Sequence, residues 1–486
     1  MGLEAAVEQR RVAALAMLDN GQQAQLGQFF TNARTASLIA SFINLDQHAG
    51  GVRILDPGAG VGSLSAAIVA RIAKERPDLD IEITAVELDD ALLPALQSTL
   101  EEIRTQNKAK VQMVHGNYLE LAATGDSRVA GPFDLVIQNP PYGKLGVRDP
   151  DRKNVAACVV DVPNKYAAFW ALSIKSLSLG GQCVAIVPRS WANGTYFSHF
   201  RKWLVRNMSF DRLHVFDSRN TVFSDTGVLQ ENVIVAGTKG RTNDVVVVSA
   251  STDQHHTVTS KLVPMDAVVQ PSDPQQFVRF ADGSFIVPEK ASFTLSELGI
   301  KASTGRVVDF RNRHLISDLP TENAVPFIYQ ANINPGKVIH PLVGNRVKPQ
   351  WFTPSEVKAK NLLVPGGHFV LVKRFSAKEE RRRIVAGVWE HPGSAAFDNK
   401  TNYLHENGAP LQPDLARGLC VWLNSTAIDS YFRTFSGHTQ VNAGDLNTLP
   451  FPSREDLITL GAAFPADLPN QAEIDNAVTL ILGVAA

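Results

Sequence analysis

A chain of 486 residues, 44% hydrophobic and 20% charged, is too long for one ordinary domain of roughly 100–200 residues and has ample material for a buried core. Its formal net charge of −1 gives no global sign of a polyanion partner, so any such site has to be local. Cys158, Cys183 and Cys420 lie far apart and form no CxxC pair, which argues against a disulfide framework or a cysteine-based zinc site and for a reduced chain.

The N-terminus lacks the apolar core of a signal peptide, and Ala6 stands where a myristoylation signal needs Ser or Thr. No apolar run approaches the ~18–20 residues of a membrane span, so a soluble chain without a membrane partner is expected. Val7, Val12, Leu15 and Leu18 recur at helical spacing in residues 1–20, and a second helical stretch runs to about Leu45. Seven strands are then predicted at 52–56, 81–87, 111–115, 134–138, 183–188, 213–217 and 232–238, with helix-sized stretches between the early ones. Strands rich in Val and Ile that alternate with helices imply an α/β fold with a mostly parallel sheet buried on both faces. Near residue 240 the alternation stops and irregular, Pro- and Gly-containing β pieces begin. That predicts two domains, 1–240 and 241–486.

The first strand runs into Asp56-Pro57-Gly58-Ala59-Gly60-Val61-Gly62. Glycines there let backbone approach a ligand at a helix N-terminus, although such a turn also occurs with no ligand. The second strand ends in Glu87-Leu88, and an acid at that point suits the two hydroxyls of a ribose. The dinucleotide pattern GxGxxG is missing. DPxxGxG instead resembles the S-adenosylmethionine turn of class I methyltransferases.

The fourth strand ends in Asn139-Pro140-Pro141-Tyr142. Proline fixes φ, removes a donor and biases the residue before it toward extended backbone, which makes a stiff corner. Such a corner can present the Asn139 amide oxygen and the Pro140 carbonyl as two acceptors for the two N–H groups of an exocyclic amine. Tyr142 offers a flat face for a base. The plainer alternative is a proline-capped strand end.

NPPY downstream of DPxxGxG resembles the γ-class adenine-N6 DNA methyltransferases of restriction–modification systems, most closely the BsuBI/PstI-like type. The resemblance extends through Gly27–Thr31, Gly116–Leu119, Val187–Phe197, Val222–Ile234, Ser303–Arg313 and Phe435–Leu446, covering about residues 25 to 453. It implies a class I methyltransferase domain with a Rossmann-like seven-stranded sheet, followed by a mixed α+β target-recognition domain. Its expected cofactor is S-adenosylmethionine, held by Phe30, Thr31, Asp56, Pro57, Gly58, Gly60, Gly62, Glu87, Leu88, Asn117, Tyr118 and Asn139. Asn117 stands where the family usually has Asp, keeping an acceptor oxygen without the charge. Asn139, Pro140, Pro141 and Tyr142 are the expected catalytic group, with Phe223 against the flipped adenine from the other side; Phe223 reads equally as core, with Phe216 the alternative.

Residues 301–433 carry 18 Lys or Arg against 11 Asp or Glu, the local excess that a phosphate backbone requires. Arg189, Asn193, Arg306, Arg311, Arg313, Lys373, Arg374, His438, Gln440 and Asn442 are the expected DNA contacts. Arg381, Arg382 and Arg383 read equally well as a solvated helix face behind Glu379 and Glu380. No metal site is read, and His255-His256 look like loop residues. The partner implied is double-stranded DNA, with a separately encoded restriction endonuclease alongside. The implied setting is a monomer in bacterial or archaeal cytoplasm. Alternatives are a protein-glutamine or RNA-adenine methyltransferase, a bifunctional restriction–modification enzyme and a non-catalytic DNA-binding protein.

Overall fold

The computed structural model describes residues 2–17, 30–216, 231–251, 258–271, 273–280, 290–344, 347–354, 361–377, 380–436, 439–465, 468 and 470–482. The chain divides into two compact units, Met1–Ser284 and Phe285–Ala486. No helix among the described residues is long and apolar enough to cross a membrane.

The first unit is built on one sheet. Its strands are β1 (Gly51–Pro57), β2 (Asp80–Glu87), β3 (Lys110–His115), β4 (Phe133–Gln138), β5 (Leu177–Pro188), β6 (Arg212–Phe216), β7 (Asn232–Thr238), β8 (Val245–Ser251) and β9 (Thr259–Pro264). They lie in the order β3-β2-β1-β4-β5-β7-β6-β8-β9. β1 to β5 run parallel, and β7 is antiparallel to both β5 and β6.

Alternation explains why these segments are strands. On β4, Leu135 and Ile137 face one core while Val136 faces the other. On β5, Val184 and Ile186 oppose Cys183, Ala185 and Val187 in the same way. Both faces are apolar, so the strands read as near-continuous hydrophobic runs. The helices α1 (Leu3–Met17), α2 (Ala33–Ala40), α3 (Ser63–Glu75) and α4 (Leu93–Asn107) supply one core. The other takes α5 (Tyr118–Thr124), α6 (Pro150–Cys158), α7 (Lys165–Ser176) and α8 (Ser198–Asn207). Strand order reverses direction at β1, and a cleft opens there beyond the carboxyl ends of the strands.

Two expectations are corrected. The boundary near 240 moves to 284/285, because β8 and β9 extend the first unit's sheet to nine strands. β9 lies on the sheet edge with Leu262 72% exposed. It has little buried face to pattern its sequence, which is why it reads as irregular. The buried face of α1 is Leu3, Val7 and Arg11, while Val12 is 54% exposed. An arginine is tolerated there because Glu8 accepts its guanidinium at 2.7 Å.

The second unit is mixed α+β. One sheet joins Lys301–Thr304, Thr401–His405, Gly367–Lys373, Ala386–His391 and Gly336–Lys337 in that order. Another joins Ile316–Ser317, Trp351–Phe352, Val325–Ile328, Ala395–Phe397 and Leu363–Val364. Its later helices include Pro413–Leu423, Thr426–Phe435 and Arg454–Ala462.

Candidate active site

Four strand tips share one cavity of about 250 Å³. Asn139 follows β4, Gly58 and Gly60 follow β1, Glu87 ends β2, and Asn117 follows β3; all line it. The tips are neighbours in the order β4-β1-β2-β3. At about 4.8 Å between strands, the cleft is roughly 14 Å from the first tip to the last. It suits an extended ligand lying across the sheet.

The floor is the glycine turn. Gly58, Gly60 and Gly62 have φ of 74°, 59° and 88°, left-handed values that a side chain would strain. The Gly58 and Ala59 N–H groups both donate to the Val86 carbonyl at 2.9 Å, fastening the turn to β2. The rings of Phe169 and Phe30 stand over it: a Cβ on Gly58 would lie 3.4 Å from the first, and one on Gly60 3.6 Å from the second. Glu87 accepts from the backbone N–H of Gly60 at 2.8 Å and of Leu88 and Asp89 at 2.8 and 2.9 Å. Burial nonetheless raises its pKa, with those three bonds opposing the shift.

Asn139 sits at the opposite end from Asn117. Its Nδ2 donates to the Thr31 hydroxyl at 2.9 Å, and its Oδ1 accepts from the Tyr142 hydroxyl at 3.3 Å. Asn117 is the N-cap of α5: its Oδ1 accepts from the Leu119 N–H at 3.1 Å. Its Nδ2 donates to both Asp151 oxygens, at 3.2 and 3.1 Å. Tyr118 lines the cavity with its ring, while its hydroxyl contacts Ser173 at 3.3 Å.

A family model described as Eco57I restriction-modification methylase matches residues 70–223. The type II methyltransferase M.BsuBI of Bacillus subtilis is 38% identical over 98% of this chain and 97% of its own length. The type II methyltransferase M.PstI of Providencia stuartii is 36% identical over 94% of this chain and 93% of its own. The chain belongs to the type II restriction–modification methyltransferases. Its fold is also that of MmeI, a Type IIL restriction-modification enzyme solved in complex with DNA, at a TM-score of 0.55 and 13% identity over 90% of this chain and 70% of that one. The first unit is a class I S-adenosylmethionine-dependent methyltransferase fold with two further strands.

In this methyltransferase the cavity brings together Phe30, Thr31, Gly58, Gly60, Glu87, Leu88, Asn117, Tyr118, Asn139 and Pro141. Asp56, expected to touch the cofactor, does not line it. Asp56 is fully buried beneath the turn and accepts from the Ser65 hydroxyl at 2.7 Å and its N–H at 3.2 Å. Burial pushes its carboxyl up to about 7. Pro57 and Gly62 do not line the cavity either: Pro57 closes β1, and Gly62 is the N-cap of α3, where an added Cβ would lie 2.8 Å from the Thr99 side chain. Pro140 is buried, and Tyr142 is 8% exposed, its ring edge-on to Tyr166. Neither of the two lines the cavity. Phe216 is also buried core. Phe223, with Gly27–Phe29, His255, His256, Lys378, Glu379 and His438, lies outside the described residues.

Two of the expected DNA contacts are buried in this structure. Arg189 is 5% exposed, pairs with Glu231 at 2.6 Å and packs its guanidinium on Phe280 at 4.9 Å. Asn193 is 2% exposed, and neither polar atom of its amide has a hydrogen-bond partner among the described residues. In the second unit Arg311 and Arg313 are exposed. Arg306 is exposed too, but its guanidinium donates to the Asn361 and Leu363 carbonyls. Lys373 is half-buried; Arg374 donates to the Asn399 carbonyl at 2.9 Å and reaches Gln440 at 3.5 Å. Asn442 forms a capping box with Asp445. Arg381 to Arg383 are not helical, and Arg383 is fully buried against Ser376, Ser436 and Phe432.

Sequence reasoning missed Asp151, Lys165 and Phe169, all of which line the cavity. Lys165 and Phe169 are one helical turn apart on α7 and would have read only as an ordinary helix face. Asp151 follows Pro150 in the first turn of α6, where an acid is expected for the helix dipole alone.

Proposed function

We propose that this methyltransferase modifies the N6 amine of adenine in duplex DNA, extruding the base into the cleft and using S-adenosylmethionine. The carrying observation is Asn139, an amide fixed at a stiff strand end at one edge of a cleft that spans four strand tips. The donor set fits the cofactor: a positive-φ glycine floor for close approach, a strand-end acid for ribose hydroxyls, and two aromatic rings. When bound, S-adenosylmethionine supplies a methyl group made electrophilic by its sulfonium.

Asn139 Oδ1 and the Pro140 carbonyl would accept the two amine protons, which raises the nitrogen's nucleophilicity by preorganised hydrogen bonding. Thr31 sets the amide's direction by accepting from Nδ2. Glu87 and the glycine turn would hold the ribose, with Leu88 and Tyr118 flanking the base. Thiol chemistry has no support in this cleft. Cys183 is fully buried with its thiol pushed up to about 12 by burial, and neither it nor Cys158 lines the cavity. That favours an exocyclic amine over a ring carbon, which needs a thiolate nucleophile.

We assign the second unit, with exposed Arg311 and Arg313, to target recognition, and the whole to the protective half of a restriction–modification pair. Likeness along nearly the full length of two type II methyltransferases supports DNA as substrate rather than a protein or an RNA. One chain carrying both units supports action as a monomer. The test is incubation with duplex DNA and methyl-labelled S-adenosylmethionine, followed by digestion to nucleosides. Label in N6-methyladenine is expected; label in a cytosine product would overturn the assignment.

A further inference from the structure

Asp151 comes from α6, beyond the NPPY corner, yet it reaches the β3 end of the cleft, where both its oxygens meet the Asn117 amide. It does not cap its own helix; Asp149 does that, accepting from the Asp151 N–H at 3.0 Å. The carboxylate is half-buried and lines the cavity.

The cleft has a direction on the reading given above. Asn139 marks the methyl end over β4, Glu87 the ribose over β2, and the tip of β3 the base. An adenine there brings an exocyclic amine with two N–H donors, which requires an acceptor. The side-chain acceptors at that end are few. Glu87 accepts from three backbone N–H groups, and what acceptor capacity it keeps goes to the ribose on this reading. The Asn117 oxygen is engaged in capping α5. Asp151 brings two oxygens, and the Asn117 Nδ2 is placed to steer them.

We propose that the Asp151 carboxylate accepts the 6-amino group of the cofactor's adenine, positioned by the Asn117 amide, so that the cleft selects a 6-amino over a 6-oxo purine. The inference rests on the S-adenosylmethionine reading. A 6-oxo purine would turn a lone pair toward the carboxylate and be rejected. The same contact joins the segment after NPPY to the base end of the cofactor site, since Asn139 is tied to Thr31 at the other.

The experiment is calorimetric titration of the full chain with S-adenosylhomocysteine and with its deaminated analogue S-inosylhomocysteine. The wild type is expected to prefer the adenosyl compound at least tenfold. A hydrogen bond to a charged group predicts that Asp151→Ala weakens S-adenosylhomocysteine by about 10- to 100-fold and narrows the preference. Asp151→Asn keeps the size of the side chain and can donate to a 6-oxo group, so it should shift preference toward the inosyl compound and serves if the alanine variant does not fold. Unchanged affinity and preference in both variants would overturn the role of Asp151. Failure of the wild type to bind either compound would instead overturn the cofactor assignment beneath it.

Discussion

Two hydroxyls hold the Asn139 amide, Thr31 at its nitrogen and Tyr142 at its oxygen. Asn139→Ala removes an acceptor made strong by its fixed aim, so kcat should fall by at least about 10²–10³. S-adenosylmethionine affinity should stay within a few-fold; near-normal single-turnover rates would refute the role. The expected type of residue was legible here, because a strand followed by two prolines leaves little conformational choice. Partners were not legible. Arg189 sits in a motif that suggested DNA, but its carboxylate partner, Glu231, is 42 residues away, and no local pattern announces such a pair. Arg189→Ala should therefore act on stability, costing about 3–5 kcal/mol as for other broken buried ion pairs. Chemical denaturation would show it, while a normal midpoint with weakened DNA binding would restore the original expectation.

At the level of the element, the turn between β1 and α3 has an electrostatic cost underneath it. The Asp56 carboxyl, ordinarily near 3.8, ionises in the fold at about 7, chiefly because of burial. Between those values the folded chain retains a proton that the unfolded chain has released. Stability contributed by this group therefore falls as pH rises from about 4 to about 7 and is level above that. The loss is on the order of 4 kcal/mol, at roughly 1.4 kcal/mol per pKa unit. Asp56→Asn should gain stability over the wild type at pH 8 and little at pH 5, measured by urea titration at both; equal differences at the two would contradict it. The strands around this turn were readable because two apolar faces impose Val and Ile at nearly every position. Helical faces were less so: α1 keeps helical spacing in Leu3, Val7 and Arg11 but buries an arginine and exposes Val12, a choice that depends on the Glu8 contact. Arg381 to Arg383 failed in the same way, since a charge run does not say which guanidinium will be enclosed.

Across the whole molecule, charge is apportioned locally. Substituting Arg311 and Arg313 together by Ala should lower DNA affinity and reduce the salt-dependence slope by about 2, one for each lost phosphate contact. Cofactor affinity should not change. An identical slope from titrations between 50 and 200 mM salt, on the order of the range where such contacts are lost, would remove these residues from the interface. The fold class and first seven strands were legible from sequence; the extent of the unit was not, because it ends in β9, an edge strand with little buried face, although the valine run that opens β8 is itself a strand signal.

That misplaced boundary has a practical side. Anyone exchanging specificity between relatives by grafting one second unit onto another first unit must choose a joint. A cut at 240 strips β8, which pairs with β6, and leaves that strand's N–H and C=O groups bare. A fragment ending there should aggregate on size-exclusion chromatography, while one ending at 284 should elute as a discrete species. The workable seam for such hybrids lies past the ninth strand, about forty residues beyond where the change of sequence texture invites it.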